Sequence, residues 1–248
     1  MQQAVVAPRR DWVRWVAGLT IIAALLVLLA GPLIRIGIDF RPVFTIMRYA
    51  AMAAGAGALI SAIAAFVARK GSDRRAFRLA VAAATAGLLA FGGIMMLRAK
   101  AQSVPPIHDI STDTLEPPQF VAVLPLRAGA MNPPEYAGPA VAAQQTAAYP
   151  QISPLVLNVA PDQAYSRALA AAAALGWDIV AAVPTEGRIE ATDTTAWFGF
   201  KDDVVIRIRP QGNASRVDVR SKSRVGMSDL GANAERIGRL LDRLRQPA

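Results

Sequence analysis

The 248-residue chain contains no cysteine and one histidine, His108. The first absence removes any structural disulfide and any lipoprotein-type anchor, so membrane attachment must come from elsewhere in the chain. Acidic residues are scarce at the start: residues 1–100 hold 3 Asp and Glu against 13 Lys and Arg, a net of +10. Residues 101–248 hold 15 against 14, a net of −1. The basic character therefore belongs to one part of the chain, and no nucleic-acid-binding role is expected of the rest. Charged residues make up 18% and apolar ones 54%, too oily for one ordinary soluble domain.

The apolar content is concentrated in three runs without Asp, Glu, Lys, Arg or His: Val16 to Ile34, Tyr49 to Ala68 and Leu79 to Leu97. At 1.5 Å of rise per residue, about 20 residues reach roughly 30 Å, the thickness of a hydrocarbon core. No run shows the polar face of a buried globular helix, so three transmembrane helices are expected in residues 1–100. Ionisable residues are missing from all three, which argues against a proton relay, an ion pathway or a transporter site. Two further spans follow the first, which is long and lacks an A-x-A cleavage site, so it is expected to be retained rather than removed as a signal peptide. Small residues recur four apart at Ala51 and Gly55, Ala53 and Gly57, Gly57 and Ser61, and Ala83 and Gly87, the spacing that lets helices pack closely.

Orientation follows from the basic flanks. Arg9, Arg10 and Arg14 precede the first run, and Arg69, Lys70, Arg74, Arg75 and Arg78 lie between the second and third. Arg35, Arg41, Arg48, Arg98 and Lys100 lie on the other side. Eight against five favours a cytoplasmic N-terminus. After three crossings the remainder then lies outside the cytoplasm, which for a bacterial inner membrane is the periplasm. Trp12 and Trp15 sit where an interfacial anchor is expected.

Residues 101–154 contain ten of the seventeen prolines. Proline opposes both helix and central strand, so an extended, surface-draped connecting segment is expected. It carries His108 next to Asp109 and close to Asp113, residue types that can ligate a metal, although such side chains more often bond the local backbone.

Residues 155–248 read as a small α+β domain: strand, helix, an antiparallel meander of about five strands, C-terminal helix. Leu155 to Val159 is the first strand and Asp162 to Leu175 the first helix, ended by Gly176. Trp177 to Val183, Arg188 to Thr192, Ala196 to Phe200, Asp203 to Arg209 and Arg216 to Lys222 alternate as strands between Gly, Pro, Asp and Asn turns. Leu230 to Arg245 is amphipathic, with Leu230, Ala234, Ile237, Leu241 and Leu244 on one face and Arg236, Arg239 and Arg243 on another. Ser228 is its expected N-cap. The alternation places Val204, Ile206, Ile208, Val217, Val219, Ser221 and Ser223 inward and leaves Arg207, Arg209, Arg216, Asp218, Arg220 and Lys222 outside. Trp177, Trp197, Phe198 and Phe200 are expected in the core.

The run from Val217 through Arg224-Val225-Gly226 to Asn233, continuing to Arg236-Ile237, resembles the signature of the bacterial and plastid family called domain of unknown function 1499. Phe200-Lys201-Asp202-Asp203-Val204 resembles that family's aromatic-x-Asp-Asp-hydrophobic element. His108 to Asp113 is similar to an element of its membrane-anchored members. Met227 departs from the aromatic residue expected there. The resemblance spans roughly residues 105–245 and implies domain limits but no established reaction or cofactor.

The candidate site is the strand-to-helix junction with Arg220, Ser221, Ser223, Arg224, Asp229, Asn233 and Arg236, joined by Asp202, Asp203 and His108. A helix start with basic neighbours can hold an anion. The competing expectation is local capping by Asp229 and Asn233, with Arg220 and Arg236 in surface ion pairs to Asp202, Asp203 or Asp218. No G-x-S-x-G elbow or S-x-x-K dyad is present, so a catalytic serine would need His108 brought to Ser223 by folding. Asp202 and Asp203 are adjacent on a strand and face opposite ways, which excludes an acid/base pair. Two functions follow: a membrane-anchored periplasmic module that binds an anionic ligand, a lipid headgroup or an envelope protein without catalysis, or a membrane-bound hydrolase using His108 with Ser223 or a carboxylate-bound metal.

Overall fold

A computed structural model describes residues 11–70 and 73–246 and separates into two compact units, Met1–Ala99 and Lys100–Ala248. Arg9 and Arg10 of the N-terminal basic flank lie outside the described residues.

Three helices, α1 (Asp11–Arg35), α2 (Phe40–Ala68) and α3 (Arg74–Ser103), are long and apolar enough to cross a membrane. They outrun the apolar sequence because their polar flanks stay helical. Asp39 opens α2 by accepting the Arg41 N–H at 2.8 Å, and Asp73 precedes α3 and accepts the Ala76 N–H at 2.9 Å. The buried positions of α3 are Ala76, Ala80, Ala83 and Gly87, three or four residues apart and all small. Those of α1 include Val13, Ala17, Thr20, Ala23, Val27 and Ala30. Such stripes bring backbones together where lipid removes the hydrophobic drive to associate. Thr20 marks the meeting point: a Cβ on Gly57 of α2 would strike its hydroxyl, and one on Gly87 would lie 2.5 Å from the Ala54 carbonyl oxygen and 2.8 Å from the Thr20 methyl.

The second unit is built on an antiparallel sheet in the order β1-β6-β5-β4-β3, with β2 also paired to β6. Its strands are β1 (Asp109–Ser111), β2 (Leu155–Leu157), β3 (Asp178–Val183), β4 (Arg188–Thr194), β5 (Lys201–Gln211) and β6 (Ala214–Ser223). β1 lies against Arg220 to Lys222 and β2 against Ser215 to Val217, so two short strands lie end to end along one edge of β6. Helices α5 (Pro161–Ala174) and α6 (Ala232–Arg245) cover one face. Ile189, Val204, Ile206, Ile208, Val217 and Val219 meet Ala168, Ala172, Ile237, Leu240, Leu241 and Leu244 there, and Trp177 closes the core. Alternation named the sheet side of this core correctly, because one parity of each strand is apolar.

Several expectations require correction. The stretch from Ala196 to Phe200 is no strand. Thr195 and Phe200 close on one another, with the Thr195 N–H donating to the Phe200 carbonyl at 2.8 Å and the Phe200 N–H to the Thr195 hydroxyl at 2.9 Å. Gly199 takes φ +72° to make the turn, and Trp197, Phe198 and Phe200 stack in this β4–β5 loop instead of entering the core. Helix α6 begins at Ala232 with Gly231 as N-cap, not Ser228. Asp229 does the capping work, accepting the N–H groups of Gly231 at 2.8 Å and Asn233 at 2.9 Å. Arg236 sits on the buried side of α6, 2% exposed.

The largest correction concerns residues 101–154. They are not draped loosely: residues 113–136, with a 3-10 turn at Pro125–Arg127, cover the second face of the sheet, while β1 joins its edge and helix α4 (Pro139–Ala148) sets Val141, with Tyr149 just beyond it, against the helix-side core. Pro139 opens α4 at its first turn, where a missing N–H costs nothing, and no proline follows until Pro150. Gln145 of α4 extends the sheet edge by accepting the Ser111 N–H (2.9 Å) and donating to the Ser111 carbonyl (2.7 Å). Residues expected to point into solvent are therefore enclosed: Asp218 and Arg220 are 0% exposed and Lys222 1%. Parity identified their face correctly but not its cover.

Candidate functional site

The C-terminal end of β6 places polar side chains on both faces of the sheet. On the helix side Ser221 and Ser223 face the first turns of α6, and Asp202 of β5 pairs in register with both Ser223 and Asp193 of β4. Two carboxylates directly opposite one another repel. Arg236 answers them, donating from Nε to Asp193 and from Nη2 to Asp202, each at 2.7 Å. Its remaining nitrogen donates to Ser221 Oγ (3.2 Å) and Asn233 Oδ1 (2.6 Å). Asn233 donates in turn to Ser223 Oγ (3.0 Å) and to the His108 carbonyl (3.1 Å), and accepts from Ser221 Oγ at 2.6 Å. Each of these groups is occupied by another, as buried polar groups must be.

On the opposite face a second row runs Thr192, Asp203, Lys222, Asp109 across four strands. Asp109 receives Arg220 in a two-pronged pair at 2.9 Å from Nε and Nη2, and Lys222 Nζ at 3.0 Å. The Arg220 guanidinium also donates to the carbonyls of Pro118 (3.3 Å) and Pro134 (2.8 Å) and lies near the Phe120 and Tyr136 rings, 4.8 and 5.4 Å from their centroids. Lys222 donates to the Glu135 carbonyl as well. Asp203 is held by Arg127 at 2.6 Å, Arg224 at 2.7 and 2.9 Å and the Thr192 hydroxyl at 2.7 Å. Buried Glu190 accepts three consecutive backbone N–H groups, those of Val121, Ala122 and Val123 at 2.9–3.0 Å, and pairs with Arg188. The covering segment is thus bound to the sheet mainly through charges, with Phe120 and Val123 packed on Val205 as its apolar part.

Environment moves several of these groups. Burial pushes the Asp203 carboxyl up, but the bonds from Arg224 and Thr192, the charge of Arg224 and the Arg127 bond outweigh it and hold the group below the ordinary carboxylate range. Burial lowers Lys222 against the opposing pull of Asp109. Burial raises Asp229 despite its two backbone bonds, and burial with the Asp109 charge raises the Tyr136 hydroxyl to about 12. Because Asp203 is depressed in the folded chain, its stabilising contribution is complete above the unfolded value near pH 4 and disappears as the pH falls below it toward the folded value. Asp203→Asn should accordingly melt well below the parent at pH 7, and the gap should narrow as thermal scans are taken from pH 5 to pH 3. A gap that stays constant over this range would contradict the linkage.

The same geometry separates the groups that catalysis would need to join. Ser223 meets His108 only through the backbone, its N–H donating to the His108 carbonyl at 3.0 Å, while the imidazole Nδ1 bonds the Met227 carbonyl at 3.3 Å. Ser223 Oγ accepts from Asn233. Asp109 is taken up by Arg220 and Lys222, and Asp113 by Arg216 and Arg207 at 2.8 and 3.2 Å, so neither carboxylate turns to His108. No cluster of three His, Cys, Asp or Glu suited to a metal occurs among the described residues. Asp202 and Asp203 lie on opposite faces, as their adjacency dictates. Arg220 pairs with Asp109 and Arg236 with Asp202, both pairs buried rather than on the surface, and Arg236 also pairs with the partly buried Asp193.

Sequence reasoning gathered Arg220, Ser221, Ser223, Arg224, Asp229, Asn233 and Arg236 at one junction; the structure brings Ser221, Ser223, Asn233, Arg236 and Asp202 together on the helix side and sets Arg220 and Arg224 on the other face with Asp109 and Asp203. That reasoning missed Asp193, although the matching parities of β4 and β5 carried that signal. It also missed Arg127, Asn132 and Glu190, which belong to the cover and its attachment. Arg127 and Asn132 fall in a segment without hydrophobic period, where no pattern signals a partner.

Fold and site define a small α+β domain, with a charged interior layer under its cover, carried by a chain that also provides three apolar helices. The chain belongs to the family described as protein of unknown function (DUF1499), whose model matches residues 109–244. The match opens on the first residue of β1 and closes within the last turn of α6, so the covering segment is part of the family domain and the apolar helices are not. No curated protein matches the chain.

Proposed function

We propose that this chain is a membrane-anchored, non-catalytic binding module of the bacterial inner membrane, its N-terminus cytoplasmic and its sheet domain in the periplasm, where it engages an envelope protein. The observation that carries the reading is the mutual engagement of the junction residues. Ser223, Asn233, Arg236, Asp202 and Asp193 bond one another, and the His108 ring bonds elsewhere, so Ser223 does not have His108 as its base. The saturation of Arg220 and Arg236 also counts against an anion at these two residues. The basic flanks favour the orientation.

A contact surface is offered at the same end of the sheet. Met227 is 79% exposed, Leu126 51% and Met131 43%. Arg224 ties their loops together, donating to the Leu126 carbonyl at 2.7 Å and accepting the Asn132 N–H at 3.0 Å through its own carbonyl. Exposed methionines suit a surface that adapts to a protein partner.

The test joins topology to function. A reporter enzyme active only outside the cytoplasm, fused to the C-terminus, should be active. In a strain that depends on this chain, His108→Ala and Ser223→Ala should complement, with a loss of about 1 kcal/mol or less for each. Met227→Glu should fail to complement while melting like the parent. Loss of complementation by a folded His108→Ala chain would establish the hydrolase instead.

A further inference from the structure

The end of α2 and the first turns of α3 hold a feature that packing does not explain. Ala68, Arg69, Lys70, Arg74, Phe77 and Arg78 line a groove of about 430 Å³. Its four cations form no ion pair among the described residues. The acid beside them, Asp73, is already engaged by Arg14 at 3.0 Å and by the Ala76 N–H at 2.9 Å. Arg69 is held in place, its guanidinium 3.6 Å from the centroid of the Phe66 ring. Ala68 and Phe77 give the groove an apolar wall at the point where two apolar runs end, the depth at which a bilayer changes from hydrocarbon to headgroup.

We propose that this groove binds the headgroup of an anionic phospholipid, the phosphodiester lying among Arg69, Lys70, Arg74 and Arg78 and the start of the acyl chains against Phe77. Four cations without an ion pair among the described residues, together with the carbon of Ala68 and Phe77, complement a ligand that is anionic at one end and apolar at the other. A free phosphate would satisfy only the first, and the volume is that of a small-molecule site. Basic pockets between membrane helices recognise lipid in this way. The proposal is independent of which side of the membrane the loop occupies and of the Proposed function above, since it rests on a different unit of the chain.

The full-length chain, solubilised in a neutral detergent, is titrated separately with short-chain phosphatidylglycerol, short-chain phosphatidylcholine and inorganic phosphate, and its Tm is followed. Phosphatidylglycerol should raise Tm in a saturable manner, and the other two should not at equal concentration. Arg74→Gln combined with Arg78→Gln should weaken the phosphatidylglycerol midpoint about tenfold or more. Arg75→Gln removes the same kind of charge from the first turn of α3, outside the groove, and should leave the midpoint within about twofold. If the double variant melts early without lipid, Arg78→Gln alone is read in its place. Equal weakening by Arg75→Gln would show diffuse surface charge and overturn the site. An equal response to inorganic phosphate would assign the groove to a free anion and overturn the lipid.

Discussion

Asp109→Asn should cost the sheet domain about 3–5 kcal/mol, because it leaves two buried cations, Arg220 and Lys222, facing a neutral amide. The pair energy itself is not the source of this loss. Replacing a buried ion pair by packed apolar groups is often neutral, whereas removing one partner strands the other in a medium that solvates charge poorly. The asymmetry makes a sharper expectation. Arg220→Met should cost less than Asp109→Asn, since Asp109 keeps Lys222 at 3.0 Å, and Asp109→Leu with Arg220→Met should recover part of the loss by removing one charge of each sign. Denaturant or thermal unfolding of the full-length chain in detergent measures all three. A loss below about 1 kcal/mol for Asp109→Asn would mean that water reaches the layer and that the cover is not closed.

Arg236→Met should be comparably severe, again about 3–5 kcal/mol, for the mirror-image reason. Arg236 alone donates to both Asp193 and Asp202, which the β4–β5 register places opposite each other. Without it two carboxylates of one sign share a mostly buried site, and Ser221 and Asn233 each lose a partner. Adding Asp202→Asn to Arg236→Met should restore a substantial part of the stability, because it removes the repulsion while keeping a side chain of the same shape. If the second substitution makes the chain worse still, the repulsion between the carboxylates is not what Arg236 relieves.

These two arginines show where the sequence was readable. The helical anchor followed from runs of uncharged residues whose length needs no context, and the helix side of the sheet from the apolar parity of Val204, Ile206 and Ile208 and of Val217 and Val219, although Val205 is apolar on the other face. Arg236 lay four residues from the apolar Ala232 and next to Ile237, so its burial was visible only once Asp193 and Asp202 were known to await a cation. Arg220 was harder. Alternation assigned it to the second face, and an alternating charge on a strand ordinarily means solvent. What encloses it is a segment with ten prolines, whose fixed backbone angles suppress the periodicity that betrays packed elements. The cover coheres through carbonyls offered to guanidinium groups and N–H groups offered to Glu190, and backbone groups leave no trace in composition.

The arrangement of β1 and β2 has its own corollary. The residues between them leave one edge of β6 near Ser111 and return to that same edge at Leu155, so the cover is pinned at both ends to a single ladder. It cannot swing aside on a hinge as a one-ended flap would. Exposing Arg220 and Lys222 to water then requires unzipping a strand or opening the loop in its middle, and the charged layer should exchange its protons with solvent about as slowly as the sheet exchanges its amides.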